Sequence, residues 1–118
     1  MIPKFRARDE RGKWHVGLLT FMFGQYAIVN EADENTVYLI DKETIGQSTG
    51  LKDKNGVEIF EGDVFQGPHD FGPSGFHDRR AVVNFDVEKG YQWEYWLIDK
   101  IEVIGNIYEN PELLEEAE

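Results

Sequence analysis

Two His-Asp pairs, His69-Asp70 and His77-Asp78, stand eight residues apart and offer the most suggestive chemistry in the chain. Two imidazoles and two carboxylates are a plausible ligand set for a divalent ion such as zinc or manganese. Gly72 and Gly75 lie between the pairs and would let the segment fold back on itself. A metal centre also needs its ligands held from behind by rigid elements, which a stretch rich in Gly and Pro supplies poorly. The expectation is a solvated polar loop that requires no metal or other cofactor, with His69, Asp70, His77 and Asp78 as the candidates to check. Asp53 and Asp63 are a second pair of carboxylates with acid/base potential. Each sits where a side chain folds back on its own turn, Asp53 before Asn55-Gly56 and Asp63 after Gly62. Residues 46–50, Gly-Gln-Ser-Thr-Gly, lack the lysine and following helix that make a phosphate loop work. There is no cysteine. That removes a thiolate zinc site, a cysteine nucleophile and a disulfide framework together. No catalytic residue is assigned, and the chain reads as a non-enzyme.

The remaining candidates are aromatic. Phe71 and Phe76 flank the Gly-Pro stretch, and Tyr91, Trp93 and Tyr95 recur at every second position, with Trp96 expected on the opposite face. Alternating aromatics suit a surface that stacks bases. Stacking also needs a basic groove to neutralise phosphates, and Glu88, Lys89, Glu94 and Asp99 leave this neighbourhood net negative. These five aromatics are therefore candidates for protein binding. The net charge of −11 is uneven: residues 1–59 hold 9 acids against 8 bases, giving −1, while residues 60–118 hold 14 against 4, giving −10. Such a surface repels nucleic acid. An alternative use for it is imitation of DNA, to occupy a basic host enzyme. Lys4, Arg6 and Arg8, with Arg11 and Lys13 nearby, form the one basic cluster, which complements the acidic half within one chain or between copies.

These groups must be positioned mostly by strands. Hydrophobic residues make up 41% of 118 and aromatics 14%, enough for a core and biased toward β-structure. Residues 4–8 alternate as a strand, Asp9-Glu10-Arg11-Gly12 turns, and Lys13 to Thr20 resumes with Trp14, Val16 and Leu18 on one side. Strands at 26–29 and 36–40 follow a break at Gly24 and a polar loop at 30–35, so the first 40 residues read as a β-meander. Residues 41–45 read either as a single helical turn or as a continued strand, the extended form being preferred. Asn55-Gly56 reads as a type I′ hairpin turn. Residues 67–78, with three Gly and two Pro, read as an irregular loop that interrupts a strand begun at Val64-Phe65. Strands are expected at 80–85, 91–98 and 101–104. Asn110 with Pro111 and Glu112 should cap a terminal helical turn. The division is 1–46 for the meander, 47–110 for a second β-unit and 111–118 for an acidic helical tail.

Three blocks resemble the YopX family of phage and prophage proteins: Pro3 to Asp9, Gly50 to Val64, and Glu102 to Leu114. The resemblance implies an all-β fold with an SH3-like barrel in the C-terminal portion, and it carries no active site. The expected function is that of a phage or prophage accessory protein, a non-enzymatic module that binds another protein or a second copy of itself. A metal-dependent hydrolase built on the two His-Asp pairs is the further alternative. No apolar run approaches the roughly 18 residues of a membrane span, and no basic-then-apolar leader opens the chain. The expected location is the cytoplasm of a bacterial host.

Overall fold

A computed structural model describes residues 3–115 apart from Glu34, Val87, Lys89 and Gln92. Among the described residues the chain is mostly antiparallel β-structure with one short α-helix, near the C-terminal end. It forms two compact units, Met1–Ser48 and Thr49–Glu118.

In the first unit, β1 (Phe5–Arg8), β2 (Trp14–Met22), β3 (Gln25–Asn30) and β4 (Val37–Leu39) each pair antiparallel with the next, which is a meander. The beginning of β5 (Gly46–Lys52) adds to the other side of β1 through Phe5↔Gln47 and Arg6↔Gly46. Ala7, Ile28 and His15 share one face of this sheet, and all three are buried. The opposite face carries Arg6 and Arg8 stacked over the Trp14 ring at 4.9 and 5.8 Å. Register explains the stack, since Arg6 lies opposite Val16 and Arg8 opposite Trp14. Of the two readings for residues 41–45, the helical turn holds and the extended form does not. Lys42–Thr44 is a 3-10 turn because the Asp41 carboxylate accepts the Glu43 N–H at 3.0 Å. The buried Thr44 hydroxyl then accepts the Arg8 N–H at 2.8 Å, tying this turn to β1.

The second unit continues β5 beside β6 (Glu58–Phe60), followed by β7 (Asp63–Asp70), β8 (Phe76–Val82), β9 (Phe85–Asp86), β10 (Gly90–Tyr91), β11 (Glu102–Asn106) and α1 (Glu112–Glu115). β7 is the middle of a three-stranded antiparallel sheet in the order β11-β7-β8, and β9 and β10 form a short ribbon. Ile59, Phe65, Val83 and Ile101 are the buried centre, with Leu51, Trp93, Trp96 and Val103 packed around them. This arrangement is consistent with a small SH3-like barrel.

Several expectations are corrected here. Residues 67–78 are not an irregular loop: the ladder of β7 and β8 runs through them from Val64↔Val82 to Asp70↔Phe76. Glycine and proline fit for specific reasons. A Cβ on Gly67 would lie 2.8 Å from Ile101 Cγ2, so the bare backbone lets the core close over the strand. In β7 the odd residues bond to β8, as shown by Val83 N–H to Asp63 O at 2.9 Å and Phe71 N–H to Gly75 O at 2.9 Å. Pro68 therefore turns its imino nitrogen away from β8, and no bond of that ladder is lost. The expected strand at 91–98 ends at Tyr91. A turn follows, with Trp96 N–H donating to Trp93 O at 3.1 Å. Asn55-Gly56 is not a type I′ turn, since Gly56 has φ 80° and Asn55 is not among the positive-φ residues. Gly56 N–H donates to Asp53 O and Asp53 N–H to Val57 O, the longer loop that ends on a bulge glycine. The pair with positive φ at both positions is Phe23-Gly24, at 53° and 77°. The Asn110 side chain reaches back toward the preceding strand. Its Oδ1 accepts the Asn106 N–H at 3.3 Å.

Candidate functional site

The tip of the β7–β8 hairpin gathers most of the residues singled out by sequence. The hairpin closes through three bonds: Asp70 Oδ1 accepts the Gly72 N–H at 2.7 Å, Phe71 N–H reaches Gly75 O, and Gly75 N–H reaches Gly72 O, each at 2.9 Å. Pro73 opens the intervening 3-10 turn, where its fixed φ suits a first turn. The outer edge of β7 is laced to the turn that follows Trp93. Asp70 N–H donates to Tyr95 O at 2.7 Å and Leu97 N–H to Pro68 O at 3.3 Å. Tyr95 is held there at φ 74°, an uncommon conformation for an aromatic residue.

The two His-Asp pairs do not converge. His69 and His77 are direct cross-strand partners, whereas Asp70 faces Phe76 and Asp78 faces Pro68. Successive residues of a strand point to opposite faces, so the imidazoles share one side of the hairpin and the carboxylates the other. Among the described residues no group of three or more His, Cys, Asp or Glu is placed to hold a metal ion. His77 instead has Nε2 at 2.6 Å from Ser74 O. The His69 ring lies 4.7 Å from Phe71 and 4.7 Å from Trp96, edge to face, and its buried Nδ1 has no hydrogen-bond partner.

The aromatic candidates separate into two groups. Phe71, Phe76 and Tyr95 are 44%, 52% and 61% exposed. Trp93 is half-buried against Phe65 at 5.5 Å, and Trp96 packs on the same ring at 4.6 Å. Trp96 therefore does not lie opposite Trp93, because the turn between them replaces the period of two. Tyr91 is half-buried edge-on to Phe85 at 5.1 Å, and burial, then the Glu61 charge, pushes its phenol up. Asp53 and Asp63 serve the backbone. Asp53 accepts from Asn55, Val57 and Val103 at 2.8, 2.9 and 2.9 Å, and Asp63 Oδ2 accepts the Phe60 N–H at 2.8 Å.

Sequence reading missed a second exposed set, in the first unit. Phe21, Phe23 and Tyr26 surround the β2–β3 turn at 60%, 93% and 39% exposure. Phe21 and Tyr26 are cross-strand partners with rings 5.0 Å apart. The available signal was Phe21-Met22-Phe23-Gly24, an apolar run ending at a turn glycine where polar residues are usual. In the same unit His15 Nε2 lies 2.8 Å from Asp9 Oδ2, and the His15 ring stacks on Tyr38 at 3.7 Å.

Comparison with known proteins places the chain. A crystal structure of protein EF1440 from Enterococcus faecalis is similar at 31% sequence identity and a TM-score of 0.60, over 97% of this chain and 99% of that one. No curated protein matches the sequence. Residues 4–115 match the family described as YopX protein, so the chain belongs to the YopX family.

Proposed function

We propose that this protein is a non-enzymatic accessory module of a phage or prophage, working in the bacterial cytoplasm by binding another protein. The observation that carries the reading is the pairing of exposure with rigidity at the β7–β8 tip. Phe71, Phe76 and Tyr95 remain open to water on a hairpin whose two ends and flanking turn are fixed by backbone bonds. An ordered aromatic surface loses little side-chain entropy on binding, and aromatic residues are enriched where interface energy concentrates. Each ring is already about half covered, so burying the remainder contributes about 1 kcal/mol.

The test is capture from the bacterial host with the double variant Phe71→Ser, Tyr95→Asn. Asparagine tolerates positive φ, and both side chains are exposed, so the fold is retained. The wild-type chain should retain a partner identifiable by mass spectrometry, and the variant should lose it while its circular dichroism is unchanged. Equal retention by the folded variant would remove the tip as the binding surface.

A further inference from the structure

Beside the buried centre of the second unit lies a small crevice of about 100 Å³, lined by Phe65, Val82, Val83, Asn84, Tyr91 and Trp93. Backbone bonds fix its floor. Val83 N–H donates to Asp63 O and Gly62 N–H to Val83 O, both at 2.9 Å, and the Val83 and Phe65 side chains are buried. The half-buried Trp93 ring leans on Phe65 at 5.5 Å, and Tyr91 is held by its strand pairing with Phe85. Asn84 is the one polar lining residue and is exposed. None of the hydrogen bonds of the described residues uses its side chain. A free carboxamide offers an acceptor and two donors, the complement of a peptide group. Burial and then the Glu61 charge raise the Tyr91 phenol, which places that carboxylate beside the crevice. Glu61 forms no ion pair among the described residues.

We infer that this crevice binds an extended, basic peptide segment of another protein. One aliphatic side chain enters between Tyr91 and Trp93, a peptide group of the segment bonds Asn84, and a neighbouring lysine or arginine meets Glu61. Volume selects the side chain. A cavity of about 150 Å³ holds benzene, so this smaller one takes a valine-sized group and refuses an aromatic ring. Backbone chemistry selects the conformation, because a helical segment spends its N–H and C=O groups internally and leaves Asn84 nothing to bond. Charge selects the flanking residues. The chain from Asn84 to Trp93 brings Asp86 and Glu88 against Lys89, and Glu61 adds a third acid. An acidic segment is repelled from such a surface and a basic one drawn to it. Nucleic acid fails on both counts, since its bases are larger than benzene and its phosphates meet the same acids. The crevice adjoins the Val82 end of β8, and the aromatic tip lies at the Phe76 end. The two surfaces are therefore separable by mutation, and either can bind without the other.

Titration of the purified full chain with terminally blocked pentapeptides, followed by NMR, tests it. Arg-Ala-Val-Ala-Arg at millimolar concentration should move the Trp93 indole N–H and the Asn84 side-chain amide signals saturably. Exchanging the central Val for Gly should abolish the movement, and exchanging both Arg for Glu should weaken binding by about tenfold or more. Oligothymidylate should leave both signals in place. Asn84→Ala removes an exposed side chain that bonds nothing in the free protein, so the fold is retained. It should weaken the arginine peptide about fivefold, and Glu61→Gln about threefold, both read at Trp93. Signals that stay still with the arginine peptide, equal binding of the glycine or the acidic peptide, or movement with oligothymidylate overturns the inference. So does undiminished binding to either variant.

Discussion

Asp9 and Asp53 occupy the same position in two separate turns, and each commits its carboxylate to the backbone. Asp9 Oδ1 accepts the Arg11 and Lys13 amides at 2.9 and 3.0 Å, as Asp53 Oδ1 accepts those of Asn55 and Val57. The second oxygen distinguishes them: Asp9 turns it to His15, and Asp53 turns it to Val103 across the second unit. The His15 side-chain bond, then the Lys13 amide, hold the Asp9 carboxyl at about 2, against an ordinary 3.8. A carboxyl depressed in the folded state stabilises above its unfolded value and loses that contribution as pH falls toward its folded value. Asp9 stability should therefore be complete above about pH 4 and disappear toward pH 2. Asp9→Asn should flatten the decline of the urea midpoint in that window, and an unchanged slope would show that the pairing does not control it. For Asp53 burial pushes the carboxyl up, but the Val103, Val57 and Asn55 amides together hold it below the usual range. Asp53→Ala leaves those donors without their acceptor at a site only 6% exposed. The expected loss is about 2–3 kcal/mol, read from urea unfolding.

At the scale of elements, the positions of turns built on Asp and Gly were legible, and their types were less so. Asp9 to Gly12 and Asp53 to Gly56 could be located because both residue types have a mechanical reason to be there. Even so, the rule that assigns positive φ to Asn-Gly chose the wrong type at 55–56, because it cannot see that Asp53 N–H bonds Val57 O and lengthens the loop. The real two-residue turn was legible only as a break at Gly24, and its type was hidden because Phe23 violates the same rule. The β7–β8 hairpin was hidden for a related reason. Gly67 and Pro68 argue against a strand unless Ile101 is known to pack on one and the open side of the ladder to receive the other. Exposure was the least legible property: Phe71, Trp93 and Tyr95 look alike in sequence and differ only in whether Phe65 lies beside them. Phe23 supports a prediction at this scale. It is 93% exposed at φ 53°, so its side chain contributes little packing while its backbone is strained. Phe23→Asn should raise stability by about 1 kcal/mol, measured by the thermal midpoint. An unstable Phe23→Asn variant would mean that the ring packs in solution.

For the molecule as a whole, the asymmetry of charge decides how it responds to salt. Residues 60–118 carry 14 acids and 4 bases, and residues 1–59 carry 9 and 8. Two competing effects follow from adding salt. Screening weakens attractive pairs such as Lys54–Glu102 at 3.7 Å and Lys4–Glu31 at 3.6 Å. It also weakens the mutual repulsion of the acidic half. Exposed ion pairs contribute about 0–1 kcal/mol each, whereas a net charge of −10 within one small unit opposes compaction through many pairwise terms at once. Repulsion is therefore the larger effect, and salt should stabilise. The gain should also be local. Raising ionic strength from about 0.01 to 0.15 M shortens the screening length from about 30 to 8 Å, less than the width of a unit. Native-state hydrogen exchange at Val64 and Phe65, buried in the acidic unit, should slow clearly over that range, and exchange at Ala27 and Ile28 in the nearly neutral unit should change little. Equal slowing at both places would show that the two units open together. Faster exchange at Val64 would show that the surface pairs outweigh the repulsion.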